Sequence, residues 1–232
     1  ISSKSIGLRP FIFRLRQNGV AVVYTMHDPA PHEENLTLWG RIVEYLHYSL
    51  ETPWILENCS AIHVHSASHV NELVNRYGKQ LRGRTYVVPH GGGASNAVLA
   101  GNAEPPELKD TKHDFSFLFF GRIEPYKGLP VLTKAFRNVS ETHPRSRLII
   151  AGAGTLEASA LRSHQNVLLI NRFIVDAEIR TIFERSNVVV LPYLSATQTG
   201  VIPLAYEFSK PVICSSVGGL PEMVLEGRTG II

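Results

Sequence analysis

Phe115-Ser116-Phe117-Leu118-Phe119-Phe120-Gly121-Arg122-Ile123-Glu124-Pro125-Tyr126-Lys127-Gly128 is the stretch whose reading decides the fold. Its first six residues are aromatic and aliphatic with one serine, the composition of a strand covered on both faces. Gly121 ends the strand, and a short turn leads to a helix-period segment over Leu129–Val139. The turn carries two cations five residues apart, Arg122 and Lys127. Arginine offers a planar fork of donors and lysine a point charge, a pair suited to two adjacent phosphates. Two solvated loop cations would look the same in isolation.

The same rhythm runs outward from this stretch. Downstream, strands are expected at Arg147–Ala151, Val167–Ile170, Val188–Leu191 and Pro211–Ser215, with helices near Leu156–Ser163, Ala177–Arg185 and Val201–Phe208. Upstream, Leu8–Arg16 reads as a helix, with Pro10 near its start and Gly19 past its end. Val20–Met26 is a continuous apolar run that suits a buried strand. Leu36, Trp39, Val43, Leu46 and Leu50 recur at helical steps. A short helix over Pro53–Asn58, a strand at Ala61–His65, a helix over Ser68–Tyr77 and a strand at Thr85–Val88 follow. Ala97–His113, with Pro105-Pro106 and no periodic apolar residues, reads as a linker. Strand–helix alternation of this length implies parallel sheets with helices on both faces, in two α/β domains over 1–104 and 105–232.

The chain has 232 residues, 44% of them hydrophobic and 19% charged, enough for a sizeable core. Its net charge is +3. Residues 1–108 hold nine basic and nine acidic residues, so the excess lies in the second half, with fourteen against eleven. That is too weak for a nucleic-acid stripe and suits a pocket for a small anion. Two cysteines make neither a disulfide framework nor a metal quartet, which favours a reducing, cytoplasmic compartment. No apolar run approaches the roughly 20 residues that span a bilayer. The opening reads as a helix already in progress and the close, Thr229–Ile232, as a strand, so both ends are expected to be cut from a longer protein.

In open α/β sheets ligands sit beyond the carboxyl ends of the strands. This directs attention to His27, Gly121-Arg122, Gly152-Ala153-Gly154, Arg172-Phe173 and the loop Tyr193–Gly200. In that last loop Gln198-Thr199-Gly200 precedes Val201, where a helix start presents free amides and positive dipole to an anion. Ordinary capping by Thr197 or Thr199 is the competing reading. Gly152-Ala153-Gly154 does not continue as a dinucleotide fingerprint, because Glu157 stands at the third glycine position.

Gly121-Arg122-(x)4-Lys127-Gly128, Leu148-Ile149-Ile150-Ala151-Gly152-Ala153-Gly154, Pro211-Val212-Ile213 and Gly218-Gly219-Leu220-Pro221-Glu222-Met223-Val224 stand in a characteristic order. With Gly227-(x)2-Gly230 they resemble the donor half of the GT-B retaining glycosyltransferases of family 4, the glycosyl transferases group 1. The resemblance covers residues 115–232 closely. It extends over 1–100 through Tyr24-Thr25-Met26-His27-Asp28 and Val87-Val88-Pro89-His90-Gly91. It implies two Rossmann-like domains. The first, incomplete here, would serve the acceptor; the second, lacking its C-terminal end, would bind a nucleotide-sugar. The implied donor set is Gly121, Arg122, Lys127, Gly152, Arg172, Phe173, Gln198, Thr199, Gly200 and Val201. His27, Arg122 and Lys127 would act in catalysis.

On the same resemblance the partners are a nucleotide-sugar donor and a saccharide or lipid-linked acceptor, with no nucleic acid and with peripheral contact at the inner membrane face. No metal or other cofactor is implied, because protein cations would stabilise the leaving diphosphate. The usual family pattern places two glutamates where this chain has Ala196 and Leu204. Gln198-Thr199-Gly200 fits the subgroup that replaces the first of them. Glu207, almost one turn beyond Leu204, stands either toward the same side or in water. A non-catalytic sugar-nucleotide-binding protein of the same fold and a nucleotide-sugar epimerase remain as alternatives. His63, His65 and His69 have the spacing of a metal site only superficially, with no carboxylate near them.

Overall fold

The computed structural model describes residues 7–28, 37–89, 91–108, 113–155 and 166–232. The chain divides into two compact units, Ile1–His90 and Gly91–Ile232. Each has its own hydrophobic core.

In the first unit α1 (Arg9–Gln17), β1 (Val23–Thr25), α2 (Leu38–Leu46), α3 (Thr52–Asn58), β2 (Ala61–Val64), α4 (Ala67–Tyr77) and β3 (Thr85–Val87) follow in order. The three strands form a parallel sheet, β1-β2-β3. Tyr24 faces Ile62, and Ile62 in turn faces Thr85. Ile12, Met26, Ile55, Leu56, Ile62 and Leu73 fill the core. Helix α4 begins where the Ser66 side chain accepts the His69 amide hydrogen and ends at Gly78, whose φ of 116° takes a backbone that other residues resist.

Two expectations change here. The strand expected over Val20–Met26 pairs only through Val23–Thr25. The helices expected to be separate before and after residue 52 join through a π-turn, His47–Glu51. That turn sets which face is buried: His47, Tyr48 and Glu51 lie inside, whereas Trp39, Val43, Leu46 and Leu50 remain exposed. The Glu51 carboxylate accepts from the Gly7 and Leu8 amides and from Arg9 Nε, which ties the start of α1 to the turn.

The second unit contains α5 (Asn96–Leu99), β4 (Phe115–Phe120), α6 (Leu129–Thr142), β5 (Ser146–Ala151), β6 (Val167–Ile170), α7 (Asp176–Glu184), β7 (Val188–Leu191), α8 (Val201–Glu207), β8 (Val212–Cys214) and β9 (Gly230–Ile231). All six strands run parallel in the order β6-β5-β4-β7-β8-β9. The chain therefore starts at the centre, builds outward through β5 and β6, then returns to the other side of β4. This is the doubly wound order, with its topological switch between β4 and β7. The aromatic strand of the opening stretch is the central one, and Leu118 and Phe119 are fully buried. The helix expected over Leu156–Ser163 lies outside the described residues.

The boundary differs from the expected linker at 97–113. Val98 and Leu108 are buried in the second unit's core. Ser95 caps α5 by accepting the Val98 amide hydrogen, and the Ala103 amide donates to the Ala177 carbonyl. The division accordingly falls at residue 90 rather than near 104. Too few apolar residues stand between 97 and 108 to display a period, yet two of them are enough to anchor the segment. Leu108→Ala should lower unfolding stability by about 2–5 kcal/mol, the range for a buried leucine. Urea denaturation checks this, and an unchanged midpoint would return the segment to the status of a linker.

Candidate functional site

The crevice of a doubly wound sheet opens at the carboxyl ends of the strands flanking the switch. Here those ends release the loop 121–128 after β4 and the loop 192–200 after β7. Gly121 continues the sheet by donating its amide to the Ala151 carbonyl, and Ile123 donates to Ala153. A Cβ on Gly152, whose φ is 147°, would run into the Gly121 carbonyl, so the loop after β5 meets the loop after β4 through bare backbone. The first loop ends in a 3-10 turn over Pro125–Lys127 and then Gly128 at φ 67°. A Cβ on Gly128 would strike the Pro192 carbonyl, and the Leu194 amide donates to Tyr126. The ends of β4 and β7 are thereby clamped together.

The clamp buries Lys127, which is 8% exposed. Its Nζ lies 5.1 Å from the centre of the Tyr193 ring and 3.0 Å from where a Cβ on Gly121 would stand. Burial, reinforced by the Arg122 charge and opposed by Glu124, lowers the Lys127 pKa to about 8. A cation facing an aromatic ring away from water gains about 2 kcal/mol, only part of what desolvation costs. Arg122 projects outward, 72% exposed at its side chain, with Glu124 at 3.7 Å. Such an exposed pair holds the guanidinium weakly.

In the second loop Thr199 is buried, and its hydroxyl accepts the Val201 amide hydrogen at 3.2 Å. This is a local turn contact ahead of α8, a helix of seven residues whose cap position is Gly200 with no side-chain cap, so Thr199 does not cap it in the ordinary way. Both polar atoms of the Gln198 amide are buried without a hydrogen-bond partner among the described residues. Each such group costs about 1–3 kcal/mol while unsatisfied. The Gly219 amide donates to the Thr197 carbonyl and braces this loop from the turn after β8. Gly121 also faces Val201, whose Cγ2 would stand 3.8 Å from a Cβ there. Ala196 and Leu204 pack against the core, and Glu207 is exposed at the last position of α8.

Arg172 and Phe173 follow the end of β6, where the Ile170 carbonyl accepts the Gly152 amide hydrogen. All five Arg172 donors are engaged: Nε and Nη2 reach Glu107, Nη1 and Nη2 reach Glu178, and Nη1 also reaches the Phe173 carbonyl. The guanidinium holds both carboxyls below their usual range. It staples residue 107 to the start of α7 and leaves no donor for a phosphate. This corrects the expectation drawn from its strand-end position, because a clamp and a ligand arginine occupy the same place in the pattern. Phe173 remains exposed at 76%.

His27 belongs to the first unit, where its Nδ1 lies 2.9 Å from His65 Nε2. Among the described residues no three His, Cys, Asp or Glu side chains are grouped to hold a metal. The second unit thus gathers Gly121, Arg122, Lys127, Gly152, Gln198, Thr199, Gly200 and Val201 around the switch. The sequence marks Tyr193 only as the start of a strand-end loop and His65 only for metal spacing, and reveals neither the contact of the first with Lys127 nor that of the second with His27. Tyr193 directly follows the Leu191-Pro192 strand end, but its partner Lys127 is 66 positions away. His65 shares a face with His63, a signal read only for metal spacing.

Residues 114–232, just over half of the chain, match the family model described as glycosyl transferases group 1. The chain is 27% identical over 224 residues to the D-inositol 3-phosphate glycosyltransferase of Paenarthrobacter aurescens, covering 92% of this chain and 55% of that protein. It is 28% identical to a glycogen synthase of Mycobacterium tuberculosis over 91% of this chain and 50% of that one. The chain thus spans about half the length of the curated relatives it matches. Its fold is that of Anabaena HepE, solved with UDP and glucose: TM-score 0.68 at 17% identity, over 97% of this chain and 60% of that one. The sucrose-phosphate synthase of Thermosynechococcus elongatus superposes with TM-score 0.64 at 22% identity, over 94% and 56%.

Two outcomes follow from the geometry. Lys127 releases its proton near pH 8 when folded, against 10.5 as its ordinary value. Between those values the unfolded chain binds more protons, so this residue makes stability rise with pH across that window. The urea-measured stability of wild type minus Lys127→Met should increase from pH 7 to pH 10, and a flat difference contradicts the burial. Arg172→Ala should cost about 1.5–3 kcal/mol in the same measurement, since it strips charge-assisted hydrogen bonds from the half-hidden Glu107 and the buried Glu178.

Proposed function

The chain belongs to the glycosyl transferases group 1 family, and we propose that its second unit grips the diphosphate of a nucleotide-sugar whose sugar passes to an acceptor hydroxyl. The observation that carries this reading is the buried Lys127 at the β4–β7 switch, together with the unsatisfied amide of Gln198 in the loop after β7. A cation kept out of water beside an exposed arginine is poorly satisfied until an anion arrives. A diphosphate there would restore Lys127 to its charged form and give the Gln198 amide a partner. Gly121, having no side chain, leaves the space between Lys127 Nζ and Val201 free for a phosphate.

In the proposed reaction the bond between the sugar's anomeric carbon and the diphosphate oxygen breaks, and a new bond forms to the acceptor oxygen. Negative charge grows on the departing diphosphate. Lys127 and Arg122 would stabilise it as it develops, the electrostatic term that most lowers such barriers. The hydroxyl proton of the acceptor leaves with the diphosphate. Family membership supports retention at the anomeric carbon. His27 would contact the transferred sugar, and the exposed Phe173 ring would offer a face to the base. The diphosphate's charge would be met by side chains, so no metal is assigned to the step. The acceptor is read as a saccharide or lipid-linked hydroxyl, met in the cytoplasm at the inner membrane face. No described helix is long and apolar enough to cross a membrane.

A second reading, nucleotide-sugar binding without transfer, is favoured by Ala196 and Leu204, since both are packed apolar residues where the family carries glutamates. Turnover of donor by the full-length protein separates the two.

Calorimetry with UDP as probe tests the site itself. Arg122→Ala or Lys127→Ala should each weaken binding by about 1.5–3 kcal/mol, the worth of a hydrogen bond to a charged group. UMP, lacking the second phosphate, should lose a similar amount. Glu207→Gln and Arg172→Ala should bind as wild type. Loss of binding in Glu207→Gln with Arg122→Ala unaffected would move the ligand elsewhere.

A further inference from the structure

We propose that His65 is a positioning residue that fixes the tautomer of His27, so that His27 presents a bare Nε2 lone pair rather than an N–H. The functional consequence rests on the reading above that His27 contacts the transferred sugar; the tautomer itself does not.

The chain of contacts starts at the Val88 carbonyl, just beyond β3. His65 Nδ1 lies 3.3 Å from this oxygen and His63 Nε2 lies 3.0 Å from it. A carbonyl oxygen only accepts, so both nitrogens carry hydrogen. A neutral imidazole has one N–H, and His65 therefore turns a bare Nε2 toward His27 Nδ1 at 2.9 Å. His27 Nδ1 must donate across that contact. Its remaining nitrogen, Nε2, is left as an acceptor, and this state is the less favoured one for free histidine in water. The rings lie 4.9 Å apart, tilted by 32°. His65 is 8% exposed and cannot turn without losing Val88, whereas His27 is exposed at the end of β1. His63 takes the opposite tautomer, because its Nδ1 lies 3.2 Å from the Thr25 hydroxyl, which donates to it.

The second nitrogen of an imidazole is set by the bond the first one makes. A lone pair at His27 Nε2 accepts from a hydroxyl and repels a carboxylate. This points to a sugar that offers a hydroxyl at that place, and it disfavours a uronic acid there. With an N–H in the same position the preference would invert.

Long-range 1H–15N spectra of the histidine-labelled 232-residue chain at pH 8, above the ordinary imidazole pKa of about 6.5, read the tautomers directly. His27 and His65 are expected as Nδ1–H and His63 as Nε2–H. His65→Gln keeps an acceptor oxygen near the Nε2 position and should leave His27 as Nδ1–H. His65→Leu should return His27 to Nε2–H, with a backbone amide spectrum that shows the fold kept. His27 found as Nε2–H in the wild type, or unchanged in His65→Leu, overturns the proposal; if His65→Leu fails to fold, the wild-type spectrum and His65→Gln decide. Undiminished donor turnover in His27→Ala of the full-length protein would overturn the sugar-contact reading alone and leave the tautomer assignment standing.

Discussion

A lysine ammonium held out of water against a tyrosine ring is the interaction on which the second unit's site depends. Lys127 is there because the loop after β4 folds back over its own strand end, and it can fold back only where side chains are missing. Gly128 sits in a left-handed conformation against the Pro192 carbonyl, and Gly152 lies against the Gly121 carbonyl. Any β-carbon at either place would push the β4 loop off its neighbours and let water reach the ammonium. Desolvation penalises the charged lysine more than the Tyr193 face compensates, and the residual cost appears as a pKa near 8. Strain of this kind persists only where surrounding structure over-determines it. Here the clamp rests on a six-stranded sheet whose central strands are buried on both faces.

The remainder of the second unit keeps that sheet in register. Arg172 spends all five donors on Glu107, Glu178 and a backbone carbonyl, joining the segment before β4 to the start of α7. Val98 and Leu108 place the same segment in the core. Residues 91–108 thus belong to the second unit rather than forming a tether. In the first unit, Glu51 plays a comparable part by collecting two amides and Arg9 at the head of α1.

Much of this was legible in the chain itself, and the reason is physical. β4, β6 and β7 were read to the residue because strands covered on both faces are unbroken apolar runs bounded by polar turns. Arg122 and Lys127 could be marked as a pair because loops at strand ends are where such sheets bind ligands. What eluded the reading were contacts between distant positions. Arg172 lies at a strand end like a ligand arginine, and only its partner 65 residues away reveals the clamp. Tyr193 under Lys127 and His65 behind His27 are likewise products of sheet register. The π-turn at His47–Glu51 places His47, Tyr48 and Glu51 inside while α2 before it buries none of its residues, so the helical apolar pattern there faces water.

The central claim is that the β4–β7 switch receives a diphosphate, and amide mapping tests it most directly. Titrating UDP into the 15N-labelled chain should shift the amides of Gly121, Arg122, Gly152, Gly200 and Val201 together, with one common dissociation constant. Asp114 and Asn187, at the opposite ends of the same strands, should stay in place. Shifts gathered at Asp114 and Asn187, or spread evenly over the sheet, would contradict the account.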